Sequence, residues 1–489
     1  MKKNTLNVFL VILLLGLTIS CFNDDRDDNL ILASEINDFV WKGMNVVYLY
    51  KDEIPNLAND RFSSNQEYAN YLNGFSTPED LFESLIYQRE VVDRFSWIVD
   101  DYIALEQLFS GIFKTNGMEF SLFFAPNSTT DVFGVVRLIL PNSEADNNNL
   151  KRGDIFYAID GIPLTENNLS NLLNQDTYTL NLGVYNDNGT PETTDDTIDP
   201  ETENVTISKE PYTENPVFRT EVINVGGENV GYLMYNGFTP NFETELNNAF
   251  GEFVSNNVQH LVLDLRYNPG GRIDTETFLA SMITGQFIGQ VFTKLIYNND
   301  LQVNNTIFDF TNSISNGNSI NSLYLNKVYV LTTSRSASAS EGLINGLSPY
   351  IDVVQIGTTT TGKTQASITI YDSPNLRREG ANPNHTYAMQ PLVANGFNKN
   401  NEAVPSTGLV PTIELNESPF NYGVLGDVNE PLLAAALVNI LGSGRSTYPI
   451  FQELKLIGDS NDFLPFEKGG MIIDNKFLIK TNKKLDSNQ

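Results

Sequence analysis

The chain has 489 residues and carries 60 acidic side chains against 30 lysines and arginines, a formal charge of −30. So negative a surface excludes nucleic-acid binding of the ordinary kind, which depends on neutralising phosphates with basic groups. A single cysteine, Cys21, excludes an internal disulfide and any cysteine cluster for zinc or iron–sulfur, and the length exceeds one ordinary hydrophobic core, so several domains are expected.

Lys2 and Lys3 precede an apolar run from Leu6 to Ile19, the charge-then-hydrophobe order of an export signal. The run is short of the roughly 20 residues of a membrane-spanning helix. It ends in Leu17-Thr18-Ile19-Ser20-Cys21, which resembles the lipobox of bacterial lipoproteins and implies a signal peptide over 1–20 and lipid attachment at Cys21. The acidic stretch 21–29 reads as a tether, and it also resembles the surface-export signal of Bacteroidetes-type lipoproteins. The location implied is the bacterial cell envelope, on an outer membrane facing either the periplasm or the cell surface.

Residues 30–113 read as a helical domain, with three-to-four-residue apolar spacing at 78–88 and 103–113 and a helix start at Thr77-Pro78-Glu79. From 114 to 215 the texture changes to short strands and turns, including Phe120–Phe123 and Gly134–Leu140. The stretch Leu150 to Leu164, with its Asp160-Gly161 turn, resembles a segment of a PDZ domain. That resemblance implies that Gly117, Met118, Glu119 and Phe120 form a peptide-binding loop; a plain turn between strands is the competing reading. Within this region the acidic, core-poor stretch 187–201 reads as a disordered insertion spanning about 186–204; it lacks the carboxylate spacing of a calcium loop, so no metal is expected.

Residues 216–442 alternate strands and helices, as in an α/β core: strands at 231–235, 261–265 and 328–331, and a helix over 241–254. Ligand sites form at such strand ends. The 261–265 strand runs into Arg266-Tyr267-Asn268-Pro269-Gly270-Gly271, where paired glycines let backbone approach a ligand closely. Asp264 and Arg266 read as structural partners. The second strand runs into Arg335-Ser336-Ala337-Ser338-Ala339-Ser340-Glu341-Gly342, with a helix starting near Ser338. A third leads to Gly357-Thr358-Thr359-Thr360-Thr361-Gly362-Lys363.

These blocks resemble the C-terminal processing peptidases, or tail-specific proteases, whose pattern is "LDLR-NpGG", then "SASASE", then "G--T-GK". The resemblance covers about 114–440 and implies a multidomain α/β fold: a crotonase/ClpP-like α/β peptidase core, a preceding or inserted PDZ-like domain and an N-terminal helical domain. It implies Ser338 as nucleophile and Lys363, 25 residues on, as general base, with backbone N–H groups of Ala339 and of Gly270 or Gly271 facing the oxyanion and Glu341 near the pair. Lysine can serve as base without a histidine where burial lowers its pKa from about 10.4. His260, before a strand, reads as structural, and His385 as solvated. Where the family continues Gly-Lys-Gly-x-x-Gln, this chain has Lys363-Thr364-Gln365-Ala366-Ser367, so Gln365 or Ser367 stands in for the usual glutamine.

The activity implied is serine endopeptidase action on unfolded or C-terminally exposed polypeptides, with no cofactor. The alternative is a peptide-binding lipoprotein of weak or no activity. Partners expected are polypeptide substrates and the lipid membrane through the anchor, and a homo-oligomer is compatible with the sequence. Residues 443–489 read as a C-terminal extension with short apolar pieces.

Overall fold

The computed structural model of the protein describes residues 34–190, 195–442, 454–464 and 470–473. The signal expected over 1–20, Cys21 and the acidic tether lie outside these residues.

Helices Glu35–Val47, Asn65–Leu72, Pro78–Ser84 and Tyr102–Phe109 open the described chain. Side chains of Ser64, Thr77 and Asp101 accept from first-turn N–H groups, the capping chemistry that satisfies donors a helix start leaves free. The apolar faces do not close on themselves. Phe39, Val40, Met44, Leu81 and Phe82 share a core with Ile368, Ile370, Met389 and Val393 from far along the chain, each buried side chain of this size contributing about 1.5–3 kcal/mol. The N-terminal helices are thereby part of the wall behind the later strands.

The middle of the chain forms a seven-stranded sheet in which Met118–Phe124, Val132–Ile139, Ile155–Ile159, Thr177–Asn186 and Thr197–Ser208 are successive antiparallel neighbours. The last of these corrects the expectation of disorder. Residues 197–204 of the acidic stretch are strand, part of the hairpin paired from Asn186↔Thr197 to Thr177↔Ser208, and 191–194 lie outside the described residues. Cross-strand polar pairs replace a core there: Asn181 donates to Asn204 at 2.8 Å, Asn186 to Asp199 at 2.7 Å, and the Thr179 and Thr206 hydroxyls meet at 2.9 Å.

The α/β core is a six-stranded sheet ordered Val217–Val225, Glu228–Tyr235, His260–Asp264, Lys327–Thr332, Asp352–Gly357 and Ile413–Glu414. Its first pair is antiparallel and the rest parallel. Buried on both faces, as parallel sheets are, it packs helices Glu243–Ser255, Ile273–Thr284 and Ala339–Leu347 on one side and Pro431–Leu441 on the other. Three adjacent parallel strands, His260–Asp264, Lys327–Thr332 and Asp352–Gly357, end on one edge and deliver the three sequence blocks there.

Arg266 anchors the base of that edge. Fully buried, it contacts Asp264 at 2.7 Å, Glu430 at 2.7 Å and Glu417 at 3.0 Å. Glu430 also caps the Pro431–Leu441 helix through Leu433 N at 2.8 Å, and burial is outweighed at Glu417 by Arg152 and Arg266, which hold its pKa down at about 2. The expected structural role for Asp264 and Arg266 therefore holds. His260 pairs with Glu228 at 2.6 Å. His385 is not solvated: its side chain is 10% exposed, against Asp372 at 3.0 Å and close to Phe39 and Tyr387.

Replacing Arg266 with Met leaves buried carboxylates without their counter-charge, and we expect a loss of about 3–5 kcal/mol in denaturant unfolding; a loss under about 1 kcal/mol would contradict the anchoring role. Glu276, in the helix Ile273–Thr284, makes the opposite case: it is fully buried and both carboxyl oxygens lack a hydrogen-bond partner. Burial raises its pKa well above the ordinary 4.5, so at intermediate pH the folded chain keeps a proton that the unfolded chain has lost. Its contribution is complete below the unfolded value and declines as pH rises towards the folded one, by about 1.4 kcal/mol per pH unit. Glu276→Gln removes that slope. Urea unfolding between about pH 5 and about pH 7 should show the variant gaining on the native chain at each step, and a gap independent of pH would refute it.

Candidate active site

Ser338 is the residue immediately before the helix Ala339–Leu347 and has φ 60° and ψ −110°, a left-handed backbone that a non-glycine residue holds only when its surroundings fix it. Those surroundings are explicit. Ser336 Oγ donates to Leu265 O at 2.7 Å, Ala337 N to Asn268 O at 3.1 Å and Ser340 Oγ to the same carbonyl at 2.9 Å. The serines flanking Ser338 thus bolt the turn to the end of the neighbouring strand. Ser338 Oγ itself is buried without a hydrogen-bond partner.

Glu341, one turn into the helix, gathers the pieces. Its Oε2 accepts from Ser338 N at 2.8 Å and Lys363 N at 2.9 Å, and its Oε1 from Gly362 N at 2.6 Å and Thr360 Oγ1 at 2.5 Å. Burial raises its pKa against the opposing effect of these donors. Glu341 thus bonds the backbone N–H of Ser338, at the helix start, and that of Lys363.

Lys363 is 5% exposed, and its Nζ lies 4.9 Å from the centre of the Phe95 ring, a cation–π distance. Phe95 comes from the N-terminal segment. Its neighbour Arg94 donates to the carbonyls of Thr361, Gly362 and Ser406 at 3.3, 3.2 and 3.1 Å, and buried Asp93 fixes the turn by accepting from Phe95 N and Ser96 N. Gly362 is held at φ +84°, where a Cβ would come within 2.2 Å of Ser406 O. Gln365 donates to Tyr50 Oη at 3.1 Å, and Ser367 lies on the strand Gln365–Ser367, where its carbonyl accepts from Ile473 N at 3.1 Å.

The glycines approach from the other side. A Cβ on Gly270 would lie 2.8 Å from Ser338 Cβ and 3.1 Å from Ala339 N, so only glycine permits the contact. The two expected donors are not equivalent, however. Gly270 N is taken by Asn268 Oδ1 at 2.9 Å, while Asn268 Nδ2 holds Tyr235 O at 2.8 Å. Asn268 therefore shapes the turn, and Gly271 becomes the glycine to consider beside Ala339.

The structure brings Ser338, Ala339, Glu341, Lys363, Gly270 and Gly271 together. Gly117–Phe120 lie in the other sheet, at the start of Met118–Phe124, and do not present a row of free donors: Gly117 N donates to Thr115 Oγ1 at 2.9 Å and Met118 N to Asn116 Oδ1 at 3.0 Å. Sequence reasoning did not single out Phe95, Arg94, Thr360 or Asn268 as site residues. Asn268 lay inside the glycine block and could have been found from its capacity to bridge a tight turn. Phe95 had no local signal. Among the described residues, no group of acidic, histidine or cysteine side chains could hold a metal ion.

Residues 229–413 match the family model for peptidase family S41, and residues 35–97 match that for the peptidase S41 N-terminal domain. A carboxyl-terminal-processing protease of Picosynechococcus sp. is 25% identical over 342 residues, 69% of this chain and 73% of that protein. A CtpA-like serine protease of Staphylococcus epidermidis is 29% identical over 138 residues, 28% of this chain and 25% of the relative. Among solved structures, an S41 protease from Bacteroides fragilis is 27% identical with a TM-score of 0.66, covering 83% of this chain and 98% of its own. With the three sequence blocks converging on one strand edge and both family models matched in order, the chain belongs to peptidase family S41, the C-terminal processing proteases.

Proposed function

We propose that the protein is an endopeptidase that cuts unfolded or C-terminally exposed polypeptides with a Ser338–Lys363 dyad. The observation that carries this reading is the shared carboxylate of Glu341, which ties the backbone N–H of Ser338 to that of Lys363 and so fixes the two reacting residues relative to each other before substrate arrives.

Ser338 Oγ attacks the scissile carbonyl as Lys363 takes its proton, and Lys363 then delivers that proton to the leaving amine. The negative charge on the tetrahedral intermediate meets the N–H groups of Ala339, at the free start of its helix, and of Gly271. Water hydrolyses the acyl-enzyme by the reverse sequence. Lys363 is buried, with the Phe95 ring over its Nζ, which limits the water that could compete with the proton transfer. Attachment through Cys21 would hold this activity at a membrane surface in the bacterial envelope, and the strand Met118–Phe124, with Gly117 just before it, belongs to a PDZ-like module that handles peptide.

The rival, a peptide binder without hydrolysis, draws on the altered sequence after Lys363. Gln365 donates to Tyr50 Oη, which supports reading that difference as packing rather than as loss of activity.

Hydrolysis of an unfolded, fluorescently tagged protein should fall by about 10³-fold or more in Ser338→Ala and in Lys363→Ala, with the thermal midpoint of each variant confirming that it folds. Equal turnover by the native chain and either folded variant would eliminate the dyad.

A further inference from the structure

The sheet built around the site contains a strand from the far end of the chain. Gly470–Ile472 lies between Gly270–Arg272 and Gln365–Ser367, parallel to both, with Gly270↔Gly470, Gly271↔Met471, Ala366↔Met471 and Ser367↔Ile472 in register. One neighbour carries Gly270, packed on Ser338; the other begins two residues after Lys363. Ile472 and Ile473 are 8% and 3% exposed. An extended polypeptide pairing with Gly270–Arg272, the strand beside Ser338, would need this gap, and the chain itself fills it.

A second stretch of the same segment fills a second edge. Leu456–Asp459 pairs antiparallel with Met118–Phe124, with Leu456↔Phe123 and Asp459↔Ser121 opposite each other; strand addition at an open edge is how peptide-binding modules take ligands. Phe463 follows and packs into the core of that sheet, its ring 6.1 Å from that of Phe120. The Asp459 carboxylate binds Arg137 at 3.1 Å and Arg335 at 2.7 Å, and Arg335 stands three residues before Ser338. A cavity of about 550 Å³ bounded by Met118, Phe120 and Phe463 adjoins one of about 90 Å³ bounded by Phe238, Gly271 and Ile472; Glu119 and Asn461 line both. The two edges and the cavities between them form one track.

We propose that this track is a single polypeptide-binding surface whose resident ligands are the chain's own stretches 456–464 and 470–473, which hold the enzyme closed in cis until a substrate or partner displaces them. The proposal rests on the Ser338–Lys363 reading for what is inhibited, though not for where the segment binds. Attachment through the same chain gives the segment an effective concentration of about a millimolar. A free polypeptide competing for both edges therefore meets a site already occupied.

The test uses the full chain with Gly458→Pro and Ile473→Asp together. The first removes a strand N–H at a position where even a Cβ would lie 2.6 Å from Asp462 Oδ2, and the second puts a charge where Ile473 is buried. With its fold checked by thermal unfolding, this variant should hydrolyse a tagged unfolded protein with kcat/KM raised about tenfold or more, and a peptide of residues 454–473 added in trans should lower it again competitively. Unchanged or reduced kcat/KM in a folded variant would overturn the proposal.

If the variant does not fold, a reversible tether decides the matter. Phe123→Cys and Leu456→Cys, in a chain with Cys21→Ser, place thiols at paired positions. The oxidised form should be inactive and the reduced form active, and equal activity of the two would overturn the proposal. Should no form hydrolyse anything, the dyad reading fails alone. Fluorescein-labelled 454–473 peptide would then still bind the reduced Phe123→Cys, Leu456→Cys chain more tightly than its oxidised form. Equal binding to both would remove the cis ligand.

Discussion

One buried carboxylate sets the geometry on which the rest of the site depends. Glu341 accepts from Ser338 N, Gly362 N, Lys363 N and Thr360 Oγ1, which uses the acceptor capacity of both oxygens. Two loops, the one holding Ser338 and the one holding Lys363, leave adjacent parallel strands and would otherwise be free to drift. Donors from both loops converge on one group that is itself fixed in the first turn of a helix. A carboxylate stranded in a core would be costly, and the donors provided by these loops are what offset that cost. The dependence is mutual: the helix start is capped by Glu341, and Ser338 keeps its left-handed backbone because the cap, Asn268 and the neighbouring serines leave no other arrangement.

Beneath this node the same solution recurs with opposite sign. Arg266 is a buried cation surrounded by Asp264, Glu417 and Glu430. It joins the end of one strand to the helix Pro431–Leu441 and to the stretch around Glu417. The cluster keeps the turn 266–271 in place, so that Gly270 can press on Ser338. Neither charge cluster is an efficient source of stability compared with apolar packing of equal volume. What each provides is a fixed relative position for elements that are distant in sequence, and a catalytic arrangement needs that more than it needs stability.

The legibility of the chain follows the range of the interactions. The parallel strands were readable because burial on both faces writes itself as short apolar runs, as in 261–265 and 328–331, and the turns were readable from small residues that close approach requires. The alignment of Ser338 with Lys363 came from the resemblance of three blocks, since neither residue's neighbours alone distinguish it from a capping serine or a surface lysine. Phe95 beneath Lys363 could not be read, because the contact spans 268 positions with no pattern at either end. His385 looked solvated in a polar loop, and Asp372 with Phe39 from the first helix encloses it. Residues 197–204 looked disordered because composition weighs cores, whereas in the hairpin polar side chains meet across the paired strands.

The C-terminal segment is the extreme case of the same rule. Leu456–Asp459 and Gly470–Ile472 have too few residues for periodicity, and each pairs with strands that precede it by roughly a hundred to more than three hundred positions. Such short strands have little stability by themselves. They gain it from edges already built by the rest of the fold, as a bound peptide does. An edge that the fold leaves open is a liability unless it is covered or used, and a peptidase that receives extended chains must keep at least one edge able to open. Covering these edges with a short segment of the same chain meets both demands. The segment's hold is divided between two strand pairings and the Asp459 ion pairs with Arg137 and Arg335, so it can be released stepwise rather than by melting a domain. Arg335 belongs to the turn that carries Ser338, and through Asp459 the far edge is in direct contact with that turn.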